Sequence, residues 1–233
     1  MSPPSLTIGF DADDTLWQNE RYFRLTEARF QALLADHAAP GQLSERLMAA
    51  ERRNLSRYGY GVKGFVLSMI ETAIEVTEAR VPAAVIAGIV AEGREMLAHP
   101  VELMPHARET VTAMRGRGEV VLITKGDLMH QESKLARSGL GELFDAVEIV
   151  SDKTPATYAR VFARHGGRPG VMVGNSLKAD VIPAIEAGGW GVHVPHDLTW
   201  EHERADPPSD HPRFAVIADL SELAAVVDRI AGQ

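Results

Sequence analysis

The 233-residue sequence predicts an α/β fold: a Rossmann-like parallel sheet core with helices on both faces, plus an all-α insert. Two observations predict it. Short, nearly continuous apolar runs rich in β-branched residues alternate with helix-period segments, the texture of strands covered on both faces and joined by right-handed crossovers. After the first such run, residues 18–99 contain no strand-like segment and repeat apolar residues at helical spacing instead.

The first strand is "LTIGF" (6–10). Four helical stretches follow: "RYFRLTEARFQALLADH", "LSERLMAAERRNLSRY", "KGFVLSMIETAIEVTEA" and "PAAVIAGIVAEGREML". Breaks are expected at "APGQ", "YGYG" and "RVP". Helix 105–117 then leads into strand "EVVLIT" (119–124), helix 127–138 and strand "AVEIV" (146–150). Helix 155–165 has a readable start, with Thr154 at the N-cap and Pro155 at the first helical position. Strand "GVMVG" (170–174), helix 178–188 and strand "GVHV" (191–194) come next. The polar, Pro-rich stretch 196–213 reads as a loop, with His196 and His202 expected in solvent. "FAVIA" (214–218) is a candidate sixth strand, and helix 219–231 ends the chain. The expected domains are a core from 1–17 and 100–233 and a helical cap from 18–99.

Composition excludes several functions. The formal charge is −8, whereas nonspecific nucleic-acid binding needs a basic surface. The absence of cysteine removes disulfides, thiolate metal sites and a Cys nucleophile. The start "MSPPSLTIGF" lacks a basic region followed by a long apolar run, and "VPAAVIAGIVA" is too short to span a bilayer. A cytoplasmic protein with no membrane or nucleic-acid partner is expected, as a monomer or homodimer.

Ligands of open α/β sheets bind beyond the carboxyl ends of the strands. After the first strand come Asp11, Asp13, Asp14 and Thr15; after the second, Thr124, Lys125 and Gly126; after the third, Lys153; after the fourth, Asn175, Ser176 and Asp180. Three carboxylates crowded into "DADDT" need a cation or a reaction to justify them, because buried like charges are costly. Carboxylates with an amide oxygen suit a hard cation such as Mg²⁺. A lysine and a hydroxyl beside it suit a phosphoryl group, which a carboxylate can attack to give an aspartyl-phosphate. Taken singly, Thr124 reads better as a cap of the next helix, and Lys153 could be a solvated surface lysine; its position after the third strand is what lifts it. Gly174 reads as a close-packing position, and Trp17 as a packing residue near the insert. In the insert, "RYGYGVKGF" (57–65) reads either as a substrate loop using Tyr60 and Lys63 or as an interhelical turn.

The ordered set "DADDT", the Thr of "LITKGD", the Lys of "SDKT" and "GNSLKAD" resembles the four motifs of the haloacid dehalogenase superfamily, and the helical insert resembles its C1-type cap. The resemblance covers nearly the whole chain. It implies a Mg²⁺-dependent phosphomonoester hydrolase acting on a small phosphorylated metabolite, with phosphomutase, 2-haloacid dehalogenase and non-catalytic phosphate binding as alternatives on the same fold. By position, Asp11 resembles the nucleophile and Asp13 the acid/base, with its backbone carbonyl on the metal. Thr124 and Lys153 resemble the residues that orient and neutralise the phosphoryl group. Asp180 resembles a metal-holding carboxylate. Asn175 stands where many members have Asp, and Lys125 where Asn is common; Lys125 is expected either to add positive charge near the phosphate or to point to solvent, and Gly126 is expected near the phosphate. Dehalogenases of this superfamily lack an acid/base two residues after the nucleophile, because halide leaves without a proton; Asp13 therefore favours a phosphatase.

Overall fold

In the computed structural model the described residues are 6–166, 170–198, 200 and 203–232; His202 lies outside them. Strands β1 (Leu6–Phe10), β2 (Gly118–Lys125), β3 (Ala146–Val150), β4 (Val171–Gly174), β5 (Trp190–His193) and β6 (Phe214–Val216) form one sheet of order β3-β2-β1-β4-β5-β6. Every pairing is parallel. The candidate sixth strand is therefore present, though shorter than its apolar run.

The six helices α1 (Glu20–Leu33), α2 (Pro40–Tyr58), α3 (Val62–Val76), α4 (Ala83–Ala98), α5 (Ala107–Met114) and α6 (Leu128–Ser138) are followed by α7 (Pro155–Arg164), α8 (Ile182–Glu186) and α9 (Leu223–Ala231). Strand periodicity explains the layering. Val120 and Leu122 of β2, with Val171 and Val173 of β4, pack on one face in a cluster with α5 and α9 residues such as Val111 and Val227. Val121, Ile123 and Met172 point the other way, into a cluster with Tyr158, Val161 and Phe162 of α7. Both faces are buried, which is why the strands read as continuous apolar runs. Thr154 caps α7 as expected, its hydroxyl accepting from the Thr157 N–H at 3.2 Å.

Contacts divide the chain into two compact units. One comprises residues 1–20, 101–125 and 131–233, the other residues 21–100 and 126–130. The second unit has its own apolar core, including Phe30, Leu43, Leu47, Phe65, Met69 and Ile89. The break between α1 and α2 ends inside "APGQ": Ala39 is extended and Pro40 is the first residue of α2, since a missing N–H costs nothing there. The turn falls just before it. "YGYG" breaks the helices, with Gly59 and Gly61 at φ 70° and 106°. No helix among the described residues is long and apolar enough to cross a membrane.

Candidate active site

Register places the chain exits of the central strands together: Phe10 pairs with Leu122 and with Val173, and the Asp11 N–H continues the ladder to the Val173 carbonyl at 2.9 Å. The carboxyl edge of the sheet thus gathers the segments that follow β1, β2, β3 and β4.

Asp11, Lys153 and Asp180 form the buried centre. The Lys153 ammonium contacts Asp11 Oδ1 and lies 2.6 Å from Asp180 Oδ1; the three side chains are 2%, 8% and 1% exposed for Lys153, Asp11 and Asp180. Two carboxylates share one ammonium. Burial, and then the nearby Asp180 charge, push the Asp11 carboxyl up to about 7, against the opposing pull of Lys153. Burial would lower the Lys153 pKa, but Asp11 and Asp180 outweigh it and raise it above the ordinary lysine range.

Thr15 and Asn175 join this centre. The Thr15 hydroxyl lies 3.1 Å from Asp11 Oδ2 and 3.2 Å from Asn175 Oδ1, and accepts from the Asn175 N–H at 3.0 Å. Its single proton serves one of those two oxygens at a time. Asp180 is delivered by a π-helical turn, Leu177–Val181, capped by Ser176, whose hydroxyl accepts from the Ala179 N–H. Such turns frequently occur at functional sites. Asp180 Oδ2 also accepts from the Ser176 N–H at 3.0 Å. Gly174 gives it room: a β-carbon there would fall 2.2 Å from Asp180 Oδ2.

Asp13 faces a different set of partners. Its Oδ1 accepts from Lys134 Nζ at 2.5 Å and from the Trp17 indole at 2.7 Å; its Oδ2 accepts from Gln131 Nε2 at 3.0 Å. Burial alone would raise its pKa, but Lys134, Gln131 and Trp17 outweigh burial and hold the carboxyl below the usual range. Asp11 is thus shifted upward and Asp13 downward, so two acids two residues apart in sequence sit in different electrostatic surroundings.

Thr124 is buried at the end of β2, 3.0 Å from Gln131 Nε2. Lys125 does not point to solvent; it pairs with Glu203 at 2.6 Å, both side chains largely buried. His196 is likewise not solvated: its side chain is 8% exposed and lies 3.8 Å from Asp14. Asp14, at φ 61°, accepts from the N–H groups of Asn19 and Glu20 at the start of α1. Gly126, Tyr60 and Lys63 belong to the helical unit. Gly126 has φ 128°. Lys63 lies 2.7 Å from Asp127 within that unit, and Tyr60 is half-buried. Among the described residues, no three His, Asp or Glu side chains are grouped as a ready metal site; the oxygen donors gathered around Asp11 are the carboxylate of Asp180, the amide of Asn175 and the hydroxyl of Thr15.

Gln131, Lys134 and Tyr158 escape sequence reasoning. Tyr158 donates to the Ala179 carbonyl at 3.0 Å and bears on Asp180. Gln131 and Lys134 stand one turn apart on α6, a spacing that puts them on one face without marking that face as buried.

A family model described as a haloacid dehalogenase-like hydrolase matches residues 6–188. A glyceraldehyde 3-phosphate phosphatase from Methanothermobacter thermautotrophicus is 25% identical over 229 residues, 94% of this chain and 98% of that protein. A haloacid dehalogenase-like family hydrolase from Xanthomonas campestris superposes with a TM-score of 0.86 at 45% identity, over 99% of this chain and 95% of that one. A magnesium-bound HAD-hydrolase from Bacillus subtilis shares the fold, with a TM-score of 0.65 at 18% identity over 96% and 99%.

Proposed function

The chain belongs to the haloacid dehalogenase-like hydrolases, an enzyme family, and from that premise we propose that it is a Mg²⁺-dependent phosphomonoester hydrolase working through an aspartyl-phosphate on Asp11. One observation carries the reading: two buried carboxylates, Asp11 and Asp180, share the single ammonium of Lys153, while a third, Asp13, stands two residues away with donors of its own. The relative named as a glyceraldehyde 3-phosphate phosphatase supports a small phosphorylated metabolite as substrate.

The residues fit a hard divalent cation. The residues that would hold it offer oxygen donors, the side chains of Asp11, Asn175 and Asp180 and, by the family resemblance, the backbone carbonyl of Asp13. A cation held there would neutralise the carboxylate that Lys153 leaves uncompensated. When bound, Mg²⁺ supplies charge neutralisation for the phosphoryl oxygens.

The chain's own groups do the rest. Lys153 and the Thr124 hydroxyl hold phosphoryl oxygens. An Asp11 oxygen, as carboxylate, attacks phosphorus; the new O–P bond forms as the ester O–P bond breaks, and Asp13, which takes up a proton when the substrate binds, gives it to the departing alkoxide. Water then attacks the aspartyl-phosphate, Asp13 takes a proton from that water, and phosphate leaves with Asp11 restored as a carboxylate. The proton lost in the first half returns in the second, so the cycle closes. The helical unit is assigned the non-phosphate part of the substrate, with Tyr60 and Lys63 as its contacts; Lys63→Ala is expected to raise KM for the natural substrate more than for p-nitrophenyl phosphate.

The test is hydrolysis of p-nitrophenyl phosphate with chelator and with Mg²⁺, together with rapid-quench mass spectrometry of the acid-stopped enzyme. Activity lost with chelator and restored by Mg²⁺, with phosphate on the peptide containing Asp11 and absent in Asp11→Asn, is the expected result. Full activity in metal-free protein, or phosphate on Asp13 or Asp14, would overturn the reading.

A further inference from the structure

We infer that Gln131 and Lys134 are positioning residues that fix which oxygen of Asp13 exchanges the proton; the inference rests on the hydrolase reading above. The geometry is specific. Each carboxylate oxygen has about two lone-pair sites. Oδ1 is filled, by Lys134 Nζ at 2.5 Å and Trp17 Nε1 at 2.7 Å. Oδ2 receives one donor, Gln131 Nε2 at 3.0 Å. One lone pair remains, and it is on Oδ2. Proton transfer to the leaving oxygen, and from the hydrolytic water, is therefore assigned to Oδ2.

Gln131 also ties this oxygen to the phosphoryl-orienting hydroxyl. Its Nε2 lies 2.7 Å from the Lys125 carbonyl and 3.0 Å from Thr124 Oγ1, besides Asp13. Two N–H protons face three acceptors. A hydroxyl can accept from Gln131 and still donate its own proton, so the Thr124 hydroxyl remains a donor whichever acceptors the amide serves. The acceptors also fix the amide orientation: Nε2, not Oε1, must face them. That leaves Oε1 buried without a hydrogen-bond partner among the described residues, at a cost typical of an unmade bond. Lys134 is anchored in turn, within 3.3 Å of Asn19 Oδ1, and its side chain is 9% exposed. One face of α6 thus holds the ends of the first two motifs in a fixed relation.

The test exploits leaving-group chemistry. The rate of aspartyl-phosphate formation is measured by rapid quench for ethyl phosphate, whose alkoxide needs a proton, and for p-nitrophenyl phosphate, whose phenolate departs with little help. Lys134→Met and Gln131→Met are each expected to slow the ethyl ester about 100-fold and the nitrophenyl ester no more than about tenfold, within the about 10²–10⁴-fold that a proton-transferring group supplies. KM should change little, and Lys134→Arg should recover part of the loss. Gln131→Met leaves the Lys134–Asp13 pair intact, so it carries the test if Lys134→Met does not fold. Equal slowing of both esters, or no slowing, in folded variants would overturn the inference alone. A wild-type enzyme that forms no aspartyl-phosphate from either ester would overturn the hydrolase reading and this inference with it.

Discussion

The carboxylate of Asp180 packs directly on the α-carbon of Gly174, so that a β-carbon at Gly174 would fall 2.2 Å from Asp180 Oδ2 and 2.4 Å from its Cγ. The crowding atom would be backbone-anchored, and Asp180 is itself held by Ser176 and Lys153. Gly174→Ala is therefore expected to displace Asp180 and to weaken Mg²⁺ affinity about 10–100-fold, the usual effect of disturbing the support of a metal ligand. Titration of metal-free protein with Mg²⁺ by calorimetry checks this; unchanged affinity would mean that Asp180 plays no part in holding the ion.

Lys153 links the two carboxylates electrostatically, and the two ways of cutting that link should differ. Lys153→Met leaves Asp11 and Asp180 buried together with no ammonium, and removing one partner of a buried ion pair typically costs about 3–5 kcal/mol. Asp11→Asn leaves Lys153 with Asp180, so metal-free stability should hold or rise, while turnover vanishes. Urea unfolding of both variants without metal measures the difference. Equal destabilisation would contradict the charge imbalance at the centre.

Asn175→Asp adds a carboxylate beside Thr15, which already touches Asp11. It should lower stability without metal and tighten Mg²⁺ binding. The pair of measurements is thermal unfolding of the metal-free protein and calorimetric Mg²⁺ titration. Weaker binding would show that the amide is tuned to its neighbours.

A pH effect is expected far from the site. His165 sits between Glu119 and Glu148, its ring nitrogens 2.8 Å and 2.9 Å from their carboxylates, with Arg164 also on Glu148. Burial lowers its pKa, but the hydrogen bonds to Glu148 and Glu119 outweigh burial and raise it. The folded value lies above the unfolded one, so the stabilisation is fully present below the ordinary histidine pKa and is lost as pH rises through the folded value. The Tm gap between wild type and His165→Gln should therefore be larger at pH 6 than at pH 9. A gap that is constant or widens with pH would refute the ion-paired histidine.

The sheet was legible because burial on both faces leaves few polar residues in a strand, and β1 and β3 begin and end where their apolar runs do. Asp11, Thr124, Lys153 and Asp180 were legible because each follows a strand in a fixed order. Gln131 and Lys134 were not. They lie in "HQESK", where a helix's buried polar face and its solvated face have the same composition, and only the partner at Asp13 separates them. The burial of His196 is hidden in the sequence for a related reason: it depends on a partner, Asp14, that is remote in sequence. Pro40 carries two opposite signals, a breaker inside a helix and a favoured opener at its first turn, and the choice depends on where the apolar period starts.

The strand order has a consequence for synthesis on the ribosome. The first strand made is a central one: Ile8 pairs with Val120 on one side and Val171 on the other. Until those partners emerge, β1 and the acids behind it have no sheet to enter, and pairings between such distant segments form slowly. The helices between Arg21 and Pro100 make mostly local contacts and own a separate apolar core, so they can order first on the growing chain. Asp11 meets its ammonium only after Lys153 has left the exit tunnel, and Asp180 arrives later still. The acidic centre is thus completed late, although its first residue is among the earliest translated, and a chain interrupted before β2 would carry "DADDT" as an uncompensated, water-exposed charge cluster.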